Sequence, residues 1–386
     1  MSETAFDVGI VGAGVHGASA AYHLASRGVK VVIVERGTPA SGPTGRSSAI
    51  CRAYYTNPFL AAVARDSILM FERFEELTGV DAGFRRTGLV FLHPPEDEAE
   101  VRGSVDRLNA IGIATELLDV DGLASRLPGF DLDGIGVGAF ERDAGYADPH
   151  ATTDGLFRRA LELGAEARLG AVVTRIEPDS TAGGTLVTET GDRLSSGRIL
   201  IAAGPWTRPL ALQAGADLPL TVERHVVVTF RWGEAAPAPA HGDLIGGYYF
   251  RPEGDELFLM GPVLPEPQVD PDDFAQAVAP HEVERLAAAV TRRVPRLERA
   301  EVHGGWASLY DVSPDWQPVI GEIAPGIFVD AGTSGHGFKL APALGGHLAD
   351  LVTGERTDPG LAAFDPFRFE RGSGLAAGFR DARILG

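Results

Sequence analysis

The sequence predicts a two-domain protein that joins an α/β unit, built on a parallel sheet, to a unit built on a large mixed or antiparallel sheet. Three observations support this fold class. A length of 386 residues is long for one hydrophobic core. Residues 6–34 alternate strand, helix and strand. Residues 220–265 instead form a series of strands joined by turns.

The opening element order is that of a βαβ unit. Residues 6–11 are a short apolar run that ends at glycine, which is typical of a buried parallel strand. Residues 15–27 carry apolar side chains at helical spacing, and Gly28 ends that helix. Residues 29–34 form a second apolar, β-branched strand, so the first 36 residues predict a Rossmann-like unit.

The rest of the chain is predicted from periodicity and turn residues. Helices are expected at 58–78, 96–111, 149–164, 274–294 and 340–353. Strands are expected at 89–93, 171–178, 184–190, 198–203, 220–232, 243–251, 256–262 and 326–331. The strands of 220–262 follow one another through turns, which indicates an antiparallel sheet.

Composition excludes several kinds of partner. The chain has 34 basic and 53 acidic residues, and its net charge of −19 argues against binding nucleic acid or an anionic membrane. Residues 1–7 lack the basic region of a signal peptide, and no apolar run approaches the roughly 18–20 residues of a membrane span. One cysteine, Cys51, excludes an internal disulfide, and the ten histidines show no metal-ligand pattern. We therefore expect a cytoplasmic protein without a metal site.

A dinucleotide fingerprint lies in the first turn. Gly12, Gly14 and Gly17 follow a predicted strand and open a predicted helix, where they allow a tight turn, close approach to a pyrophosphate and close helix packing. Glu35 ends the second strand about 20 residues on, where a carboxylate accepts hydrogen bonds from ribose hydroxyls and disfavours NADP. His16 occupies a variable position of the motif and is interpreted as incidental to the chemistry. The motif's place near the N-terminus, with a second glycine-rich segment at 332–337, favours FAD over NAD.

Five segments together resemble the D-amino-acid-oxidase-like flavoprotein family, and within it the sarcosine oxidase and glycine oxidase branch. In chain order they are residues 44–55, 198–206 (RILIAAGPW), 305–310 (GWASLY), 313–318 (SPDWQP) and 332–339 (GTSGHGFK). They span nearly the whole chain, whereas residues 89–138 and 220–299 match the family only in their general pattern of predicted elements and not in specific motifs.

The resemblance implies two interleaved domains. An FAD-binding domain would comprise residues 1–88, 139–217 and 320–386, and a substrate domain residues 89–138 and 218–319. The implied FAD contacts are Gly12, Gly14, Val15, His16, Gly17, Glu35, Arg36, Thr44, Gly45, Arg46, Ser47, Ser48, Val173, Ala203, Gly204, Trp206, Gly332, Gly335, His336, Gly337, Phe338 and Lys339. The amides of 332–339 would face the negative charge that develops on the flavin N1/C2 edge.

The resemblance also implies a substrate clamp. Arg52 and Lys339 fall at the positions where sarcosine oxidase binds the substrate carboxylate. The arginine would supply a planar bidentate guanidinium and the lysine a compact point charge. Tyr249 could cap the pocket, although alternation along a strand lets only one of Tyr248 and Tyr249 point inward. His225 is interpreted as structural.

Three departures from the family pattern bear on the chemistry. Members with covalent flavin use a Cys or a His where this chain has Ser308 and Arg46, so we expect non-covalent FAD. The lysine that activates oxygen in sarcosine oxidase corresponds to Leu259. Oxygen and an electron-transfer partner therefore both stay open as electron acceptors.

The leading functional prediction is oxidation of the C–N bond of an amino acid or N-methyl amino acid. Hydride would pass from the neutral amine to flavin N5, giving an imine that hydrolyses. Two alternatives remain: oxidation of a 2-hydroxy acid or glycerol-phosphate-like alcohol, with His336 as base, or a flavin subunit of a hetero-oligomeric dehydrogenase.

Overall fold

The computed structural model describes residues 5–234 and 239–375. Within these residues the strands are β1 (Ala5–Val11), β2 (Val31–Glu35), β3 (Ile50–Cys51), β4 (Arg85–Arg86), β5 (Leu89–His93), β6 (Thr115–Leu118), β7 (Val137–Glu141), β8 (Gly145–Tyr146), β9 (Glu166–Leu169), β10 (Val173–Pro178), β11 (Gly184–Thr188), β12 (Arg193–Ile201), β13 (Thr221–Arg231), β14 (Ala240–Asp243), β15 (Tyr248–Glu253), β16 (Leu257–Pro262), β17 (Glu301–Val312), β18 (Val319–Ala324) and β19 (Ile327–Ala331). The helices are α1 (Val15–Ala25), α2 (Pro58–Glu72), α3 (Phe74–Thr78), α4 (Glu98–Ala110), α5 (Val120–Arg126), α6 (Pro149–Glu162), α7 (Thr207–Gln213), α8 (Pro280–Arg293) and α9 (Gly337–Thr353).

The first sheet confirms the predicted parallel α/β unit. Its parallel part has the order β9, β2, β1, β12 and β19, with β1 at the centre. Strands β10, β11 and β18 add antiparallel pairs at its margins. Every residue of β2 is buried, as expected for a strand covered on both faces. The carboxyl ends of β1, β2, β12 and β19 therefore meet along one edge of the sheet.

Helix α1 packs between α6 and α9 behind this sheet. Its buried face is made mostly of small residues, so the neighbouring helices approach closely. Ser19 of α1 donates a hydrogen bond to the carbonyl oxygen of Pro342 at 3.1 Å, and a Cβ on Gly345 would lie 2.2 Å from the Ser19 hydroxyl. These contacts hold α1 close to α9.

The second sheet confirms the predicted mixed, mainly antiparallel unit. Its order is β17, β13, β16, β15, β14, β5, β7 and β6, and only the β14–β5 pair is parallel. The long strands β13 and β17 pair over their whole length. One face packs on α8 through an apolar cluster, and the other turns toward the first unit. A small third sheet of β3, β8 and β4 lies alongside.

Some element boundaries differ from the predictions. The strand predicted at 243–251 is two strands joined by a turn, because the Asp243 carboxylate accepts from the amides of Ile245 and Gly246. Helix α8 begins at Pro280 rather than at residue 274, with proline at the first helical position. Helix α9 begins at Gly337, three residues earlier than predicted. Helices α5 and α7 were missed because seven residues carry too little periodicity.

The division into five segments stays a prediction. Strand β7 of the second sheet spans the expected boundary between residues 138 and 139. No helix within residues 5–234 and 239–375 is long and apolar enough to cross a membrane.

Candidate active site

A cavity of about 780 Å³ runs along the carboxyl edge of the parallel sheet and passes under the second sheet. This volume lies in the range of roughly 300–1,000 Å³ that is usual for small-molecule sites. The predicted cofactor residues that line it are Gly12, Gly14, Val15, His16, Glu35, Arg36, Thr44, Arg46, Ser47, Ser48, Val173, Ala203, Gly204, Trp206, Gly335, Gly337, Phe338 and Lys339. Segments far apart in sequence thus surround one space.

The three fingerprint glycines have steric reasons. Gly12 has φ of 104°, and a Cβ there would lie 2.4 Å from the carbonyl oxygen of Ala202. A Cβ on Gly17 would lie 2.0 Å from the Gly12 carbonyl oxygen, so this glycine allows α1 to pack on the turn. Gly14 is the N-cap of α1 and supplies no side-chain cap, which leaves first-turn amides for a ligand.

Glu35 joins two turns at the cavity wall. One carboxylate oxygen accepts from the Ala13 amide at 2.7 Å, and the other accepts from the Gly37 amide at 2.7 Å. The side chain therefore fixes the fingerprint turn against the turn after β2. Its remaining lone pairs lie where the sequence predicted a ribose partner.

The glycine-rich turn before α9 is held by Asp311 of β17. Gly332, Ser334 and Gly335 all have positive φ, with Ser334 at 47° as the strained non-glycine residue. The Asp311 carboxylate accepts from the Gly332 amide at 2.6 Å and from the Thr333 hydroxyl at 3.0 Å. Burial raises the pKa of Asp311, and the hydrogen bonds from Thr333 oppose that rise. The second sheet thereby positions a turn of the first unit.

The donor groups of this cavity suit a dinucleotide with an extended ring system. The N-termini of α1 and α9 both open on it, so two helix dipoles offer amides to negative charge. Glycine at Gly12 and Gly335 lets both turns pack closely on the protein at the cavity wall, where a Cβ would collide with Ala202 or with the Tyr310 ring. Gly335 is also in contact with the Tyr310 ring, since a Cβ there would lie 2.5 Å from it.

Two buried cations lie near one end of the cavity. Lys339 is 7% exposed, lines the wall, and donates to the Gly335 carbonyl oxygen at 3.3 Å. Burial lowers the pKa of Lys339 well below 10.5, and the nearby Arg52 charge lowers it further. Arg52 is 4% exposed, and its guanidinium lies 4.3 Å from the Tyr55 ring centroid and 5.3 Å from that of Phe91. A strongly acidic protein thus has a locally positive pocket.

His336 and Tyr55 are buried beside Arg52 and Lys339, behind this end of the cavity. The Nδ1 atom of His336 lies 3.1 Å from the Tyr55 hydroxyl, and the two rings are 5.4 Å apart. Burial holds the pKa of His336 well below 6.5, and the charges of Lys339 and Arg52 add to this effect. The ring is therefore neutral near pH 7. Its Nε2 atom is buried with no hydrogen-bond partner among the described residues.

Glu141 of β7 holds the segment that carries Arg52. Its carboxylate accepts from the amide of Ala53 at 2.8 and 2.9 Å and from the amide of Tyr54 at 2.9 Å. The Arg52 guanidinium in turn donates to the Tyr54 carbonyl oxygen. Burial raises the pKa of Glu141 to about 7, against the opposing effect of these bonds. A carboxylate of the second sheet thus fixes the backbone beside Arg52.

A family model described as "FAD dependent oxidoreductase" matches residues 7–351. The chain belongs to this family. Its cofactor is therefore FAD, and the chain is an oxidoreductase.

Named relatives of this FAD-dependent oxidoreductase act on amino acids and amines. It is 28% identical to monomeric sarcosine oxidase of Streptomyces avermitilis, over 95% of this chain and 98% of that protein. It is also 28% identical to mitochondrial dimethylglycine dehydrogenase of Rattus norvegicus, over 93% of this chain but only 44% of that protein. The crystal structure of glycine oxidase from Geobacillus kaustophilus is similar with a TM-score of 0.82 at 26% identity, covering 94% of this chain and 99% of that one. These findings confirm the predicted fold and cofactor.

Six predicted site residues do not line the cavity itself. They are Gly17, Gly45, Arg52, Tyr249, Gly332 and His336. The three glycines support the wall from behind: a Cβ on Gly45 would lie 2.3 Å from the Ala40 carbonyl oxygen, and Gly332 packs against Leu220 and Val319. Arg52 and His336 are in the layer next to Lys339.

The predicted alternation of Tyr248 and Tyr249 is present. Tyr248 packs in the cluster under α8, and its hydroxyl lies 3.3 Å from His241. Tyr249 belongs to the opposite cluster, which faces the first unit. Burial raises the pKa of Tyr249 to about 12, so its hydroxyl stays protonated at neutral pH. His225 stacks on Tyr310 at 3.9 Å and lies 3.1 Å from Glu223.

The positions that carry covalent flavin links in the family are occupied by unreactive groups. Arg46 and Ser308 both line the cavity, and the Arg46 guanidinium donates to Gln276 at 3.2 Å. Cys51 is buried, and burial raises its pKa well above that of a free thiol. Within the described residues, no group of three or more His, Cys, Asp or Glu side chains is arranged to hold a metal ion.

Several functional contacts were not found from the sequence. Asp311, Asp330 and Glu141 are single carboxylates on otherwise apolar strands, and their partners are mainly backbone amides or a distant ring. Asp272 is a further case, since it accepts from the Trp206 indole at 2.9 Å and lies 3.5 Å from Arg36 at the cavity wall. Periodicity carries no signal for such contacts.

Proposed function

We propose that this enzyme oxidises the C–N bond of an amino acid or N-methyl amino acid that carries a free carboxylate. The observation that carries the proposal is the pair of buried cations, Arg52 and Lys339, at the end of the FAD cavity. Burial lowers the pKa of Lys339, and repulsion by the nearby Arg52 charge lowers it further. A substrate carboxylate relieves this repulsion.

Each cation has a distinct role in this proposal. The Arg52 guanidinium is fixed by the Tyr55 ring and by the Tyr54 carbonyl oxygen, so its planar fork is preorganised for a carboxylate. Lys339 adds a point charge from the first turn of α9. Together they set the position of the substrate Cα–H before reaction.

Bound FAD would accept the substrate C–H hydrogen as a hydride, which carries both electrons of that bond. The protein's residues favour the amine in its neutral form, because Arg52 and Lys339 disfavour a third positive charge nearby. The neutral nitrogen has the lone pair that forms the imine, which water then hydrolyses. Tyr310 is half-buried at the cavity wall and Tyr249 is buried; burial raises the pKa of both, so their hydroxyls stay protonated at neutral pH.

One observation favours a second candidate, oxidation of a 2-hydroxy acid. His336 is neutral, and its Nε2 atom has no partner among the described residues. A neutral imidazole can accept the hydroxyl proton that alcohol oxidation must release. Both candidates use the same carboxylate clamp.

Anaerobic mixing of the yellow holoenzyme with substrates separates the candidates. The panel comprises glycine, N-methylglycine, N,N-dimethylglycine, proline, lactate and glycerol 3-phosphate, each followed by loss of oxidised-flavin absorption. Bleaching by one or more of the amines, and not by their methyl esters, is the expected result. Bleaching by lactate alone would overturn the amine proposal in favour of the second candidate. Bleaching by none would indicate a subunit that needs its partner, and gel filtration with candidate electron acceptors would follow.

A further inference from the structure

His16 lies between two hydrogen-bond acceptors that belong to the C-terminal half of the chain. Its Nδ1 atom is 2.6 Å from the Asp330 carboxylate at the end of β19, and its Nε2 atom is 3.0 Å from the Gly337 carbonyl oxygen at the start of α9. The His16 side chain is 12% exposed and Asp330 is fully buried. These two contacts were not expected from the sequence, because His16 occupies a variable position of the fingerprint.

The geometry at Gly337 shows that this contact is close-packed. A Cβ on Gly337 would lie 2.9 Å from the His16 Nε2 atom and 2.9 Å from the Thr333 hydroxyl. Glycine at this position is therefore needed for the imidazole to reach the carbonyl. The contact joins residues 321 positions apart in sequence, from the two turns that flank the FAD cavity.

A carbonyl oxygen accepts hydrogen bonds and cannot donate them, so Nε2 must carry a proton. A carboxylate at 2.6 Å from Nδ1 also accepts, so that nitrogen carries a proton as well. A neutral imidazole has only one N–H. Both contacts with an ionised Asp330 are therefore satisfied by the imidazolium form alone.

We propose that His16 is a protonated imidazolium link that fixes the spacing between the fingerprint turn and the turn before α9, and thereby positions FAD between them. The charged groups that face it are Asp330 from β19 and Asp311 from β17, and from α9 it meets the Gly337 carbonyl. Both charges are negative. The link depends on both ring protons. If either nitrogen loses its proton, the lone pair of that nitrogen faces an acceptor oxygen, of Asp330 or of Gly337, and the hydrogen bond is lost.

The electrostatics agree with this arrangement. Burial alone would lower the pKa of His16, but the charge and hydrogen bond of Asp330 outweigh it and raise the pKa above 6.5. A folded-state pKa above that of the unfolded chain contributes stability that is complete below pH 6.5 and is lost as pH rises through the raised value. FAD retention should therefore weaken toward alkaline pH.

His23 provides a matched control on the same helix. Its Nε2 atom lies 2.9 Å from the Pro342 carbonyl oxygen of α9, the same kind of contact between the same two helices. Burial lowers the pKa of His23, so it is neutral at physiological pH. His16→Gln and His23→Gln thus each remove one imidazole contact to α9, but only the first removes a charge.

The test follows the temperature at which the holoenzyme releases fluorescent FAD, between pH 5.5 and 9.5. We expect the natural protein and His23→Gln to release FAD at a lower temperature as the pH becomes alkaline. His16→Gln should already bind FAD more weakly at pH 6, and its release temperature should not show this pH dependence. Removal of two charge-assisted hydrogen bonds should weaken FAD binding on the order of 10- to 100-fold at pH 6. The same alkaline loss in His16→Gln would overturn the proposal.

Nitrogen-15 NMR of the histidine rings gives a second readout that needs no variant to fold. Two protonated ring nitrogens on His16 at pH 7, titrating above 6.5, are the expected result. Asp330→Asn should move that pKa downward. A neutral ring at pH 7, with the proton on Asp330 instead, would refute the imidazolium link even if His16→Gln proved unstable.

Discussion

Arg52→Ala is the most direct test of the carboxylate clamp. Arg52 is held by ring contacts with Tyr55 and Phe91 and by the Tyr54 carbonyl oxygen, so its orientation is fixed before a substrate binds. Its removal deletes a buried charge-assisted partner of the ligand carboxylate and leaves the FAD cavity wall itself unchanged, since Arg52 is not part of that wall. The loss should therefore fall on ligands that carry a carboxylate.

The structure sets the size of this loss. Truncating one side of a buried, hydrogen-bonded charge pair costs about 2–5 kcal/mol. Lys339 remains in the variant, and its pKa rises once the like charge of Arg52 is gone. This partial compensation places the cost at the lower end, about 2–3 kcal/mol, which is a roughly 30- to 150-fold rise in Kd.

The assay titrates the oxidised enzyme with unreactive ligands and follows the shift of the flavin absorption. Two ligands of the same shape, acetate and acetamide, separate charge recognition from packing. The natural protein should prefer acetate, and Arg52→Ala should lose most of that preference. Arg52→Lys keeps the charge but not the fork, so it should be intermediate.

An equal loss for acetate and acetamide in Arg52→Ala would refute the clamp. Arg52 would then act only by packing between Tyr55 and Phe91. Unchanged FAD content in each variant is the required control, because loss of cofactor would lower both affinities together.

Three further predictions follow from the buried groups. A bound carboxylate stabilises charged Lys339 and so raises its pKa, which burial and the Arg52 charge lower in the free enzyme. Carboxylate binding should therefore take up protons over the pH range in which free Lys339 loses its charge, and calorimetry from neutral to alkaline pH, in buffers of different ionisation enthalpy, should detect uptake that Lys339→Met lacks. Burial raises the pKa of Glu141 from 4.5 to about 7, so its contribution to stability falls as pH rises across that interval. Thermal melts should show that part of the pH dependence in the natural protein and not in Glu141→Gln, and identical profiles would contradict it. Acid precipitation should leave the yellow colour in the supernatant, whereas a yellow pellet would show a covalent flavin.

The part of the fold that the sequence predicts best is the part encoded locally. One strand–helix–strand unit contains Gly12, Gly14, Gly17 and Glu35. The residue type at each of these positions predicts its steric or hydrogen-bonding role. The prediction of one strand over 243–251 overlooked the turn signal of Gly246 and Gly247, of which Gly247 has a φ of 72°, and the Asp243 carboxylate that closes this turn.

The site was predictable only in part for a related reason. Arg52 was identified through the family resemblance alone, whereas Lys339 also follows the apolar Phe338 and precedes an apolar run, which is unusual for a surface cation. Asp311 and Glu141 act on backbone amides of segments 21 and 88 residues away. Such long-range contacts depend on how the two sheets meet, which no local pattern specifies. His16 was set aside as incidental because its partners lie more than 300 residues away.

The anchoring of Arg52 by Glu141 has a mechanical consequence. The segment that carries Arg52 is hydrogen-bonded to Glu141 of the second sheet. Lys339 instead belongs to α9, a helix packed behind the first sheet. A substrate carboxylate bound by both cations would therefore link the two units, whose sheets are separate. Hydrogen exchange of the amides of Ala53 and Tyr54 should slow when acetate is bound, and not when acetamide is. Substrate binding would then rigidify the contact between the two units, so tighter binding would be coupled to lower mobility of the site.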